Sequence, residues 1–265
     1  MKVACIGCGN MGGAVVRGLC KFMEPSSIFI TAKHFENAQK LAESTKTNAI
    51  QTNEQAASKA ELIFLAVKPA FIEQVIDEIL PQITQDKVIV SMAAGINLQK
   101  LSSLIQGKTK NIIRIMPNMP AQIGCGMTAL CATKETDSIK IQDTKKLLES
   151  TGCVEVIDEK LMDCVTGVSG SGPAFVFMFI EAMADAAVLN GMPRAQAYTY
   201  AIETVYGSAA MARSSEKIPA QLKDAVCSPG GTTIEGVAAL ENSGLRSSVI
   251  QAVTAAAKKS ASMNK

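Results

Sequence analysis

A chain of 265 residues, 48% apolar and 19% charged, is long enough for two domains and a large core. Its formal net charge of +2 comes with no basic patch, so nucleic acid is not an expected partner. Eight cysteines, at 5, 8, 20, 125, 131, 153, 164 and 227, lack the spacing of a disulfide framework; free thiols in a reducing cytoplasm are expected.

A strand is predicted over 2–6, immediately after Met1, so no secretory leader is expected. Gly7-Cys8-Gly9-Asn10-Met11-Gly12 then fits G-x-G-x-x-G, and a helix follows over 10–22 with Ala14, Val15, Gly18 and Leu19 inward. Gly7 suits the tight turn, Gly9 a close pyrophosphate, and Gly12 close helix–strand packing, with the helix N-terminus offering N–H groups to phosphate. The alternative is a plain glycine-rich turn; a strand before and an amphipathic helix after favour a dinucleotide. Cys5-Ile-Gly-Cys8 is formally C-x-x-C, but zinc needs two further ligands, so no metal is expected.

The next strand, 27–31, ends in Thr31-Ala32-Lys33-His34. An acid there would read the ribose 2′-OH of NAD. With none present, NADP(H) is expected in preference to NAD(H), and Lys33 or His34 could pair with the 2′-phosphate; a solvated loop is the other reading of each. Glu36, the nearest acid, belongs to the first turn of a helix over 36–44. His34 is the only histidine, so a histidine general acid at the reaction centre is not expected.

Further strands are predicted at 49–52, ending at Asn53; at 61–67, ending in Ala66-Val67-Lys68-Pro69; and at 87–91, ending in Met92-Ala93-Ala94-Gly95. Small residues at 93–95 would let a nicotinamide approach the backbone. A helix over 70–80 follows Pro69, a residue suited to a helix start. A strand at 111–116 ends in Pro117-Asn118, and strands at 127–132 and 153–157 flank a helix at 137–150. This alternation predicts an α/β fold: a Rossmann-like, doubly wound, mainly parallel sheet over 1–157. Ligands bind such sheets at the C-terminal strand ends, where the glycine loop, Lys68-Pro69, 93–95 and Asn118 fall.

From 158 the texture is helical, with helices predicted at 160–168, 173–190, 194–213, 219–226, 232–242 and 245–260, giving an all-α domain over 158–265. The run 173–189 contains Glu181 and Asp185 and reads as too short and too charged for a membrane span. Small and apolar residues on more than one helix side, among them Ala182, Ala186, Val188, Ala209 and Met211, predict a homodimer through this domain. The Gly/Ser stretch 167–173 reads as a tight loop joining two helices. Cys227-Ser-Pro-Gly-Gly-Thr-Thr233 precedes an amphipathic helix; its Ser228, Gly231, Thr232 and Thr233 suit an anion site for a substrate carboxylate. Ordinary helix capping uses the same residue types, and residue types alone leave the two readings open.

The combination resembles the pyrroline-5-carboxylate reductase family. The matching motifs are Ile6-Gly-Cys-Gly-Asn-Met-Gly12, Ala66-Val-Lys-Pro69, Ala93-Ala-Gly95, Arg114-Ile-Met-Pro-Asn-Met-Pro120, Gly167-Val-Ser-Gly-Ser-Gly-Pro173 and Ser228-Pro-Gly-Gly-Thr-Thr-Ile234. They run in order over nearly the whole chain, and the last is far more specific than the glycine fingerprint; Gly172 departs from the second serine of many members. The resemblance implies NAD(P)H-dependent reduction of pyrroline-5-carboxylate to L-proline by a homodimer, some members building decamers. It implies that Ser228, Gly231, Thr232 and Thr233 hold the substrate carboxylate, with Thr233 and Glu216 as catalytic candidates near the ring nitrogen. Asn53 matches an adenosine-ribose contact, and Ala66, Lys68 and Pro69 lie near the nicotinamide ribose.

A protonated cyclic imine is already electrophilic, which agrees with the lack of a placed histidine. The alternatives are another imine or β-hydroxyacid reductase on the same scaffold, or a non-catalytic NADPH sensor. A hydroxyacid enzyme would want a proton-moving lysine, for which Lys223 is the candidate. A sensor would not need the second anion motif.

Overall fold

The computed structural model describes residues 1–263. Two compact units are present: one comprises Met1–Ser171 together with the chain from Ala255 onward, the other Gly172–Thr254.

The first unit begins β1 (Val3–Ile6), α1 (Asn10–Leu19), β2 (Ile28–Thr31), α2 (Phe35–Thr45), β3 (Asn48–Ala49), α3 (Asn53–Lys59), β4 (Leu62–Leu65) and α4 (Ile72–Ile79). It continues with β5 (Val88–Ser91), α5 (Leu98–Ile105), β6 (Ile112–Met116), β7 (Gly126–Ala132), α6 (Ser138–Leu148), β8 (Gly152–Val156) and the short α7 (Met162–Val165). The strands form one sheet in the order β3-β2-β1-β4-β5-β6-β7-β8. β7 runs antiparallel to β6, and every other pair is parallel. The expected doubly wound, mainly parallel α/β sheet is therefore present.

Alternation along each strand divides the core between the two sheet faces. Ala4, Ile6, Ile63, Leu65 and Ile89 pack into one cluster. Val3, Cys5, Leu62, Phe64, Val88 and Val90 pack into the other. Because both faces are covered, β4 reads as a continuous apolar run. β1 lies between β2 and β4, so the chain leaves it toward β2 and later returns on its other side. That reversal opens a crevice at the C-terminal end of β1, where the glycine loop begins.

Several boundaries differ from expectation. β3 spans Asn48–Ala49 rather than 49–52, and Asn53 opens α3, a helix missed in the sequence reading. Its start is fixed by the Thr52 hydroxyl, which accepts from the Gln55 amide at 3.2 Å. α5 was missed as well; Asn97 caps it by accepting the Lys100 amide at 2.8 Å. After Pro69 a 3₁₀ turn, Pro69–Phe71, precedes α4.

The stretch 167–173 is not a loop. Thr166–Gly170 forms a π-helical turn, with the Ser171 amide bonded to the Thr166 carbonyl at 2.9 Å. Pro173, four residues on, has no N–H to donate, and the Ser169 carbonyl accepts Asn118 Nδ2 at 3.0 Å instead.

The expected boundary at 157/158 follows the change from strands to helices, whereas the compact units divide after Ser171. Residues 158–171 belong with the sheet, because Glu159 pairs with the buried Arg114 at 3.0 Å and Met162 is buried in its core. The chain returns to this unit at its end: Ser260 Oγ donates to Asp163 Oδ1 at 2.6 Å.

The second unit holds α8 (Gly172–Leu189), α9 (Arg194–Ser214), α10 (Pro219–Val226), α11 (Thr232–Asn242) and the first half of α12 (Leu245–Met263). Its own core is small: Ala184, Ala197 and Ala201 are buried where α8 meets α9. Phe177, Met178, Tyr200, Tyr206 and Met211 are exposed instead. Helical residues run from Glu159 to Leu189, 31 in all, long and apolar enough by length and composition to cross a membrane. This corrects the expectation that the stretch is too short, since the π turn extends the helical run before Gly172.

Candidate active site

The glycine loop is built by exclusion. A Cβ at Gly7, where φ is +96°, would stand 2.6 Å from the Ala66 carbonyl oxygen. One at Gly12 would stand 2.3 Å from the Gly7 carbonyl oxygen. At Gly9 it would meet nothing within 4 Å. Gly7 and Gly12 are therefore glycines because backbone presses on them, whereas Gly9 leaves an open approach. The first-turn amides of Asn10, Met11 and Gly12 have no carbonyl one turn back in α1. This arrangement fits a pyrophosphate.

Beside the loop lies a cavity of about 620 Å³, lined by Gly7, Thr31, Lys33, Asn53, Val67, Phe71, Gln74 and Glu78, among others. Thr31 Oγ1 donates to Asn53 Oδ1 at 2.6 Å, and Asn53 Nδ2 donates to Glu78 Oε2 at 2.7 Å. Gln74 Nε2 donates to the other oxygen, Glu78 Oε1, at 2.8 Å. Lys33 Nζ lies 5.2 Å from the centre of the Phe71 ring. Lys33 and Asn53, inferred separately from the sequence, thus line one cavity. Phe71, Gln74 and Glu78 were missed: along α4 the apolar residues Ile72, Val75, Ile76 and Ile79 are buried, so Gln74 and Glu78 read as a solvated face.

Other expected residues are placed differently. His34 precedes α2 as its N-cap, makes no side-chain capping bond, and does not line this cavity. Ala66 crowds Gly7, and Lys68 starts the 3₁₀ turn, its carbonyl accepting the Phe71 amide at 2.9 Å. Ala93 is buried in the core, Ala94 is half-buried, and a Cβ at Gly95 would come within 3.1 Å of Met263. Asn118 has both ends of its amide engaged, donating to Ser169 O at 3.0 Å and accepting the Met127 amide at 2.9 Å. Among the described residues no group of three or more His, Cys, Asp or Glu gathers as a metal site.

In the second unit, Gly231 is the N-cap of α11 and its amide donates to the Ser228 carbonyl at 3.1 Å. Gly230 turns the chain at φ +67°, and a Cβ at Gly231 would press on Ser228 Oγ at 2.3 Å. The loop thus folds Ser228 back over the start of α11, where Thr232 and Thr233 supply first-turn amides and hydroxyls. Glu216 is exposed between α9 and α10, with no hydrogen bond to this loop among the described residues. Lys223 Nζ is 2.9 Å from Asp224 Oδ1, and that hydrogen bond raises its pKa.

The sheet order, the switch beside β1 and the open cradle at Gly9 define a Rossmann-type dinucleotide-binding protein. A family model described as pyrroline-5-carboxylate reductase dimerisation matches residues 159–263, and one described as NADP oxidoreductase, coenzyme F420-dependent, matches 2–95. The pyrroline-5-carboxylate reductase of Escherichia coli is 43% identical, over 100% of this chain and 98% of its own. That of Synechocystis is 40% identical over 100% and 99%. Among solved structures, a Plasmodium falciparum pyrroline carboxylate reductase with NADP bound aligns at TM-score 0.90 and 32% identity, covering 100% and 98% of the two chains. The chain belongs to the pyrroline-5-carboxylate reductase family.

Proposed function

We propose that this chain reduces the C=N bond of pyrroline-5-carboxylate to L-proline, the last step of proline synthesis, using NADP(H) in preference to NAD(H). One observation carries the reading. A chain matched end to end by these reductases holds both an open phosphate cradle at Gly9 and a second helix N-terminus at Gly231–Thr233.

The bound nicotinamide would supply a hydride to the imine carbon. The chain's own contribution is binding and orientation. Asn10, Met11 and Gly12 amides would hold the pyrophosphate, and Asn53 and Lys33 the adenosine end. Gly231, Thr232 and Thr233, with the Ser228 hydroxyl, would hold the substrate carboxylate and so set which ring face is presented. Thr233 and Glu216 are assigned to the ring nitrogen, where a protonated imine needs a hydrogen-bond acceptor rather than a strong acid.

The protein would act as a homodimer. The dimerisation model over 159–263 supports this, as does a helical unit whose Phe177, Met178 and Leu189 lie exposed around a core of three alanines. Covering by a second copy accounts for the apolar helical run without a membrane. A decamer, five dimers together, is the larger assembly to look for by sedimentation. Eight free cysteines support a cytoplasmic location.

Steady-state oxidation of NADPH, and separately of NADH, with pyrroline-5-carboxylate tests the reading. Turnover with a lower KM for NADPH is expected. Turnover favouring NADH would keep the reaction and remove the 2′-phosphate assignment, and no turnover in a protein that binds nucleotide would overturn the substrate.

A further inference from the structure

We propose that Glu78 is a cofactor-specificity residue, its carboxylate opposing the 2′-phosphate that Lys33 attracts. The proposal rests on the nucleotide reading above and deepens it. The usual acid at the end of β2 is absent, and Thr31-Ala32-Lys33-His34 stands in its place. An acid nonetheless reaches the same cavity from another element. Glu78, on α4, is bonded through Oε2 to Asn53 and through Oε1 to Gln74, and Asn53 is bonded in turn to Thr31 at the end of β2.

These partners are neutral. No salt bridge reaches Glu78 among the described residues. Its charge is therefore oriented and uncompensated. The other acid lining the cavity, Glu54, accepts from Gln82 Nε2 at 3.2 Å. Lys33 is the only cation among the lining residues, and it lies over the Phe71 ring.

A fixed carboxylate beside the ribose-reading asparagine accepts hydrogen bonds from sugar hydroxyls and repels a phosphate dianion. The same cavity thus holds one group favouring NADP(H) and one favouring NAD(H). Their balance sets the preference, and Glu78 keeps NAD(H) usable.

Glu78→Gln isolates the charge, because glutamine retains an acceptor for Asn53. Nucleotide affinities are measured directly by calorimetric titration of the purified full chain with NADP⁺ and NAD⁺. Glu78→Gln is expected to raise the ratio of NADP⁺ to NAD⁺ affinity roughly fivefold at low salt, with the gain shrinking as ionic strength rises. Glu78→Ala, which also releases Asn53, is expected to weaken NAD⁺. If Glu78 only supported Asn53, Glu78→Gln would leave the ratio and its salt dependence at wild-type values, and the proposal would fail while the nucleotide reading stood. A wild-type protein that bound neither nucleotide would overturn both.

Discussion

The glycine loop separates two roles that a sequence motif cannot, and a pair of alanine substitutions tests the separation. At Gly12 a new Cβ would stand 2.3 Å from the Gly7 carbonyl oxygen and 3.0 Å from Ala66 Cβ. The first neighbour is backbone, so relief requires moving β1 against α1. Overpacking of this kind costs about 1–3 kcal/mol, less about 0.5–1 kcal/mol for replacing a helical glycine. At roughly 2–4 °C per kcal/mol, Tm should fall by several degrees in Gly12→Ala. Gly9 differs: its φ of −78° suits any residue, and no atom lies within 4 Å of its Cβ position. Gly9→Ala should unfold at or slightly above the wild-type temperature. Its methyl group would instead meet the pyrophosphate, and the same 1–3 kcal/mol directed at a ligand weakens binding about 5- to 150-fold. Thermal unfolding without nucleotide, paired with NADPH titration by fluorescence, reads both effects. Wild-type NADPH affinity in Gly9→Ala would refute the cradle, and an unchanged Tm in Gly12→Ala would refute the packing account.

Other predictions concern the two anion sites and the core. Thr233→Ala should raise KM for pyrroline-5-carboxylate about tenfold or more, as loss of a hydrogen bond to a charged group does, while NADPH affinity stays near wild type; unchanged steady-state constants would place the carboxylate elsewhere. Lys33→Ala should weaken NADPH more than NADH, and equal losses would remove Lys33 from 2′-phosphate recognition. Glu159→Ala should destabilise by about 3–5 kcal/mol, since it leaves the buried Arg114 guanidinium without its partner; denaturant unfolding with a normal midpoint would contradict this. Burial pushes the Cys131 thiol from 9.0 up to about 12, so the folded protein keeps a proton that the unfolded chain loses. The stabilisation is complete below pH 9 and is lost as pH rises toward 12; Cys131→Ala should flatten the alkaline fall of Tm, and an identical slope would argue against it.

What the sequence disclosed follows the physics of each signal. Strands buried on both faces are apolar runs bounded by turn residues, and β1, β4, β5 and β6 were legible within a residue or two. α3 and α5 were not, although Thr52 and Asn97 cap them, because each is short and adjoins a stretch already assigned to a strand end or loop. The 167–173 segment combines glycines and serines that normally signal a turn. Its helical form depends on two remote partners: Asn118, which takes up the Ser169 carbonyl, and Arg114, which anchors Glu159. Neither pairing has a local sequence signature. The sheet unit consequently extends past the point where strand patterning ends.

The site shows the same division between local and remote information. Gly7, Gly9 and Gly12 share one motif, yet only the packed structure shows that two answer to backbone crowding and one faces open space. Lys33 is a legible candidate because it follows a strand in a known position relative to the glycines, and it lines the cavity. Glu78 lies 45 residues further along, on the polar side of an amphipathic helix, where an acid ordinarily means solvent. What distinguishes it is a tertiary chain of hydrogen bonds, Thr31 to Asn53 to Glu78, that begins at the very strand end where the ribose-reading acid was sought and not found. The residues at 31–34 therefore describe only part of the cavity's charge, and the tertiary chain that brings Glu78 to it has no local sequence signature.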